Sequence, residues 1–428
     1  MRLGGRLSGA IEVLADIEAR RRPVADALKD WGLAHRFAGS GDRSAIGNIV
    51  YDALRMKLSH AYLLDDDSPA AIAHAVLLRQ WGHSPEELAA ALEGDSFAPA
   101  PLTDTQLSAY RSRNLADAPL SVQGDIPDWV EPSLQLAFGE GWLAQAKALC
   151  ERPSLDLRAN TLKSSRDKVV KVLERSGAEA APLAPQGIRI PPGTGPSRLP
   201  NVTAELAFQK GWFEVQDEGS QLVAELAEAA EGEKVLDFCA GGGGKTLAMA
   251  ASMNNKGQVH AFDADRKRLA PIIERLKRAG THNVQVHDRA QALQALEGKM
   301  DKVLVDAPCT GTGTWRRRPD TKWRLTTRNL QERVDQQAEA LAEAARYVRV
   351  GGALLYVTCS VLPEENQDQI AAFLARHPDF AAVDMMPRWQ ARFGETATPV
   401  TNGTGGITLS PALTGTDGFF FARLERRA

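Results

Sequence analysis

Two thiols carry the most specific chemical signal in this chain. Cys309 follows Val303-Leu304-Val305-Asp306-Ala307-Pro308, and Cys359 follows Ala353-Leu354-Leu355-Tyr356-Val357-Thr358. Each ends a short apolar run of the kind that forms a buried parallel strand. The carboxyl ends of strands in open α/β sheets are where reactive groups gather. A single cysteine there would be read as a small buried hydrophobe. Two, one of them directly after Asp-Ala-Pro, point to sulfur chemistry at one site.

A thiolate suits one reaction class well. Carbon 5 of cytosine is a poor nucleophile until a thiolate adds to carbon 6 and makes carbon 5 enamine-like, able to take a methyl group from a sulfonium. Asp306 is placed to protonate or hydrogen-bond ring nitrogen N3 during this addition. The carbon-5 proton must then leave before the thiol is eliminated. Activation of the thiol needs a depressed pKa or a nearby base. Lys245 is a candidate electropositive neighbour, although a lysine at a helix start can equally face solvent.

The donor site reads from a glycine-rich turn, Asp237-Phe238-Cys239-Ala240-Gly241-Gly242-Gly243-Gly244-Lys245-Thr246. Such a turn between strand and helix lets a ligand approach the backbone. A phosphate-binding P-loop would need glycine where Cys239 stands. A dinucleotide fingerprint fits the glycine run only loosely, and an acid at the strand end opposes a pyrophosphate. S-adenosyl-L-methionine is cationic and has no phosphate, so an acid-lined turn suits it better. Asp263 ends the next strand, where a carboxylate can accept ribose hydroxyls. Asp288 ends the one after, where it would meet the adenine amino group. Either acid alone would be read as a cap or a surface charge; together they describe one adenosine pocket.

These residues need a sheet to position them. From Ser220 onward strand and helix patterns alternate. The strands are read at 234–238, 257–263, 283–288 and the two cysteine runs, with helices at 246–253, 264–279, 329–347 and 364–377. This predicts a mostly parallel, doubly wound α/β sheet. The tail Gly418-Phe419-Phe420-Phe421-Ala422-Arg423-Leu424 reads as a last strand, pairing antiparallel at the sheet edge. The stretch from Leu155 to about Phe213 reads as a small α+β module, with strands at 155–160 and 187–191 and a helix at 167–176. Residues up to about 130 read as helical, with helices at 10–27 and 42–64. Ser84-Pro85-Glu86-Glu87 forms a helix start with a capping box.

Bulk properties bound the class. The 428 residues are 43% hydrophobic and 25% charged, enough for two or three domains. Four cysteines without a Cys-x-x-Cys pair, and no histidine cluster at zinc spacing, disfavour a disulfide framework and a structural metal. No secretory or membrane-spanning segment is read, so a cytoplasmic address with no membrane partner is expected. A net charge of −3 argues against a polycation coating nucleic acid, but not against a local basic groove. Arg316-Arg317-Arg318 is a candidate phosphate contact, and a solvated loop is the competing reading.

The motifs together resemble a known family. Residues 239–246, 306–313, 358–360 with Pro363-Glu364-Glu365-Asn366, and 416–422 are similar to the motifs of the Sun-type (RsmB/NSUN-like) RNA cytosine-5 methyltransferases. Residues 158–163 and 216–221 resemble two further family segments, so the likeness runs over roughly 125–425. Residues 42–55 resemble the NusB-like RNA-binding domain of the bacterial ribosomal-RNA branch. The resemblance implies a Rossmann-like S-adenosylmethionine-dependent methyltransferase sheet at 206–428, an RRM-like connecting module at 131–205 and an all-α NusB-like domain at 1–130. It implies Cys359 as the attacking nucleophile, Cys309 as the cysteine that helps release methylated RNA, Asp306 as the catalytic acid and Lys245 as a holder of the target base. It also implies a cofactor site of Cys239, Ala240, Gly241, Gly242, Gly243, Gly244, Lys245, Asp263 and Asp288, with Asp306 at its boundary. The implied substrate is RNA, ribosomal RNA of the small subunit first and transfer RNA as the alternative, and the chain is expected to be a monomer. Many members carry Ala-Pro where this chain has Gly241-Gly242; the change removes no side-chain ligand but leaves the unfolded turn freer.

Three other classes compete. A non-catalytic RNA-binding assembly factor would not need both cysteines and Asp306. Methyltransferases for proteins or small molecules commonly use an Asn-Pro-Pro-Tyr-type loop, absent here. A nicotinamide dehydrogenase on a similar sheet would be separated by cofactor binding.

Overall fold

The computed structural model describes residues 1–427. Contacts divide them into two compact units. One comprises Met1–Pro153, Pro192–Leu199 and Thr314–Leu325; the other comprises Ser154–Pro191, Pro200–Gly313 and the described residues from 326 on.

The first unit is helical. Leu7, Ile46, Ile49, Val50, Ile72, Val76 and Leu77 build its core, on helices Leu3–Arg20, Ser40–Arg55 and Pro69–Arg79. The helix read at 10–27 is two: it stops at Arg21, in the left-handed region at φ 48°, and a second starts after Pro23. The helix read at 42–64 breaks at Met56. Charge and apolar spacing continue across both breaks, so periodicity alone does not reveal them. The capping box is present: Glu87 N–H donates to Ser84 Oγ at 3.0 Å and Ser84 N–H to Glu87 Oε2 at 2.8 Å. The segment Thr314–Leu325 is built into this unit. Lys322 is buried and donates to the Arg55 carbonyl at 2.9 Å, and Trp323 Nε1 donates to the Leu54 carbonyl at 2.6 Å.

The second unit holds two sheets. The smaller is antiparallel, in the order β2-β3-β1-β4, from β1 (Leu155–Ala159), β2 (Glu179–Ala180), β3 (Gly187–Ile190) and β4 (Phe213–Val215). Leu157, Val169, Ile188 and Phe213 pack beneath it.

The larger sheet starts with parallel strands β5 (Lys234–Asp237), β6 (Gln258–Phe262), β7 (Val284–His287), β8 (Met300–Asp306) and β9 (Val348–Thr358), in the order β7-β6-β5-β8-β9. This is the doubly wound α/β arrangement expected. Its order reverses between β5 and β8, so the crevice at the carboxyl ends of these strands is the topological switch point where such sheets bind ligands. Asp237 and Asp306 end the two strands that flank it. Residues 353–357 of β9 are all buried, as a strand covered on both faces requires.

Three further strands are β10 (Phe380–Val383), β11 (Val400–Thr401) and β12 (Ile407–Leu409). The tail forms β13 (Phe419–Arg426), antiparallel to β9 with Phe421 opposite Val357. It does not lie at the edge: β12 and β10 pair with it on its other side. Those strands are three and four residues long, too short for alternation to stand out. The helix read at 264–279 splits at Pro271 into Arg266–Leu269 and Ile272–Ala279.

Candidate active site

The loops after β8 and β9 bring the two thiols together. Cys309 Sγ and Cys359 Sγ lie 3.3 Å apart, unbonded. The hydrogen bond with Cys359, then burial and the nearby Glu365 carboxylate, hold the Cys309 thiol well above the ordinary thiol range. That shift favours the protonated form of Cys309, and either sulfur can donate in the S–H···S contact.

The two loops are braced by residues whose roles were not evident from sequence. Glu365, fully buried, accepts the Thr310 N–H at 2.8 Å, the Thr310 hydroxyl, and Gln337 Nε2 at 2.9 Å. Asn366 donates to the Ser360 carbonyl at 3.0 Å and accepts the Thr358 hydroxyl at 2.6 Å. Thr312 and Ser360 hydroxyls meet at 2.9 Å, and Gly313 N–H donates to the Cys359 carbonyl at 3.0 Å. Pro363-Glu364-Glu365-Asn366 thus sends one side chain to each cysteine loop. The motif was legible; the partners, 55 and 8 residues away, were not.

The glycine turn follows β5. Gly241 and Gly243 have φ of 49° and 81°, the left-handed region that favours glycine. A Cβ on Gly243 would sit 2.5 Å from Ile272 Cγ1. Lys245, at the start of helix Gly244–Ser252, is buried; its Nζ donates to Asp306 Oδ2 at 2.7 Å and lies 5.3 Å from the Phe419 ring centroid. The alternative of a solvent-facing lysine is thereby removed.

Asp237 is wholly buried. It accepts the Thr246 hydroxyl at 2.6 Å through Oδ2, while Oδ1 has no hydrogen-bond partner. Burial pushes its carboxyl up to about 7, against the Thr246 bond, which lowers it. Burial, Asp263, Asp237 and Asp306 push the Cys239 thiol up, so Cys239 is no nucleophile. It stands in the wall of the turn.

Asp263 is buried and accepts the Gly241 N–H and the Asp265 N–H, each at 2.8 Å. It fixes the turn, and each oxygen keeps a second lone pair. Asp288, by contrast, is 69% exposed, with Arg266 and Arg289 at 4.0 and 3.9 Å. Of the arginine triplet, Arg316 is buried and its carbonyl accepts from Arg55 Nε at 2.8 Å, so it does not offer its charge to solvent; Arg318 is exposed. Asp237, Asp263 and Asp306 surround the turn, Asp263 with Arg268 at 3.8 Å and Asp306 paired with Lys245, and Asp237 Oδ1 is unpartnered; an acid-rich lining of this kind suits a cationic ligand better than a pyrophosphate.

Among solved structures, the crystal structure of PH0851 superposes with a TM-score of 0.74 at 25% identity, covering 100% of this chain and 99% of that one. A methyltransferase homolog protein from Pyrococcus horikoshii gives 0.59 at 26% identity, covering 72% and 98%. The switch-point crevice, the glycine turn and these likenesses define a Rossmann-like methyltransferase fold. Residues 224–425 match the model of the 16S rRNA methyltransferases RsmB/F, and residues 126–194 match the ferredoxin-like domain of that family. Ribosomal RNA small subunit methyltransferase B of Photorhabdus laumondii subsp. laumondii is 37% identical over 305 residues, 70% of this chain. The match spans 66% of that relative's length. The chain belongs to the RsmB/F methyltransferase family.

Proposed function

We propose that this protein methylates carbon 5 of a cytosine in small-subunit ribosomal RNA through a transient Cys359–cytosine bond. The observation that carries the proposal is the 3.3 Å contact between the Cys309 and Cys359 sulfurs at the carboxyl ends of β8 and β9. S-adenosylmethionine, when bound, supplies the methyl group. Gly241 to Gly244, Asp237 and Asp263 are the residues that would hold it, with Asp288 at the rim and Asp306 at the boundary.

The remaining roles follow from the side chains. Cys359 sulfur adds to carbon 6, and the displaced ring electrons reach carbon 5. Lys245 holds Asp306 by their ion pair, and Asp306 meets ring nitrogen N3. After carbon 5 gains its methyl group, a solvent water takes its proton, the carbon 5–hydrogen electron pair re-forms the carbon 5–carbon 6 double bond, and the carbon 6–sulfur bond breaks with its electrons returning to Cys359. The Cys309 S–H, already in contact with that sulfur, steadies the departing thiolate. The base must be unpaired or flipped out, because a stack hides carbon 6.

In this proposal residues 1–130 form a NusB-like RNA-binding domain, 131–205 the connecting module and 206–428 the catalytic domain. Bisulfite sequencing of 16S rRNA incubated with the protein and S-adenosylmethionine tests it. One protected cytosine is expected; conversion of every cytosine would overturn it.

A further inference from the structure

Within the second unit, a cluster of cations and aromatic rings takes no part in the chemistry above. Trp212, immediately before β4, lies beneath two ammonium groups: Lys168 Nζ is 4.2 Å and Lys210 Nζ 5.8 Å from its ring centroid. The Arg278 guanidinium lies 4.1 Å from the Phe208 centroid. Lys163 Nζ donates to the Arg278 carbonyl at 2.8 Å. Lys163, Lys168 and Lys210 are exposed, and among the described residues none of the three has a carboxylate within ion-pair distance. The acid nearest in the network, Glu214, is buried and bound by Arg275 at 3.0 Å and by Arg278. Arg275 also donates to the Gly242 carbonyl. A continuous set of contacts thus runs from the glycine turn through Arg275, Glu214 and Arg278 to Phe208.

Two ammonium groups within about 6 Å of one ring centroid, neither of them ion-paired among the described residues, repel each other. A polyanion relieves that repulsion. Two rings beside the cations select among polyanions, because unstacked bases offer flat faces that an acidic peptide lacks and a duplex hides.

We propose that the surface formed by Lys163, Lys168, Lys210 and Arg278 around Trp212 and Phe208 binds a single-stranded stretch of RNA, with phosphates on the cations and a base on an aromatic face. The proposal builds on RNA as the substrate, but it is tested by binding alone.

The probe is a fluorescein-labelled single-stranded RNA of mixed sequence, followed by polarisation with the full chain. The double variant Lys168→Glu with Lys210→Glu is expected to bind at least about tenfold more weakly, with a salt slope smaller by about 1.4, the value for two lost phosphate contacts on a single strand. Lys299→Glu with Arg376→Glu, both at exposed positions outside this cluster, changes net charge equally and is expected to stay within about twofold. Trp212→Leu is expected to lose roughly fivefold for RNA and nothing for heparin, and Trp212→Phe to restore RNA binding. Equal losses in the two double variants, an unaltered salt slope, or RNA affinity that Trp212→Leu leaves untouched would each overturn the proposal. Thermal melts identify any variant that fails to fold, and the lysine variants, lying at exposed positions, keep the test standing without the tryptophan ones. If the wild type methylates no cytosine yet the lysine variants lose RNA, the proposed reaction fails and this surface stands.

Discussion

Glu365 accepts the backbone N–H of Thr310 at 2.8 Å from a position solvent does not reach, so a buried carboxylate fixes the residue next to Cys309. Glu365→Gln keeps the size but turns an N–H₂ group toward at least one of the donors that Thr310 and Gln337 present. A buried donor left facing a donor costs about 1–3 kcal/mol. Turnover in a methyl-transfer assay is expected to fall roughly 10–100-fold, with KM for S-adenosylmethionine unchanged and covalent RNA adduct accumulating. Glu365→Asp, which keeps the charge, is expected to recover part of the rate. Equal activity of wild type and Glu365→Gln would show that the brace has no role in the reaction.

Asp237 makes stability depend on pH in the direction opposite to an ion-paired acid. Its carboxyl is pushed up to about 7 in the fold, against about 3.9 in an unfolded chain. Below about 4 both states hold the proton. Between about 4 and 7 the unfolded state ionises while the folded state does not, so stability falls as pH rises; above 7 the loss is complete. Asp237→Asn removes that loss. Urea unfolding without ligand is expected to show the variant gaining on wild type by a few kcal/mol more at pH 8 than at pH 4. An equal difference at both pH values would contradict the assignment.

The glycines of the turn are not equivalent. Gly243→Ala places a Cβ 2.5 Å from Ile272 Cγ1 on a backbone at φ 81°, and is expected to cost about 2–4 kcal/mol and to weaken S-adenosylmethionine binding. Gly242→Ala meets only the end of a flexible side chain, Arg275 Nη1 at 3.1 Å, and is expected to stay within about 1 kcal/mol. Thermal melts with calorimetric titration of the cofactor compare them. Similar losses in the two variants would mean that the turn, not the Gly243 contact, sets the tolerance.

What the sequence disclosed follows from range. Strand runs, the glycine turn and the Cys309 and Cys359 loops are local patterns, and the mostly parallel sheet follows from their alternation with helices; the strand order does not. The break at Met56 leaves little local signature, whereas the one at Arg21 is marked by Pro23, which the helix read at 10–27 passes over. The tail strand read as an edge because β10 and β12, which cover it, are too short to be seen. Lys245 stood open between two environments until Asp306, 61 residues on, closed on it. Asp288 shows the converse limit: a strand-end position predicts reach toward a ligand, not burial. Glu365, Asn366 and Gln337 were beyond sequence reasoning because their work is done by contacts between loops.

The most direct measurement is a denaturing gel of the protein incubated with 16S rRNA and S-adenosylmethionine, run for Cys309→Ala and Cys359→Ala. With Cys359 as nucleophile and Cys309 assisting release, Cys309→Ala is expected to show a slow-migrating protein–RNA adduct and Cys359→Ala none. An adduct formed by Cys359→Ala and not by Cys309→Ala would contradict this assignment.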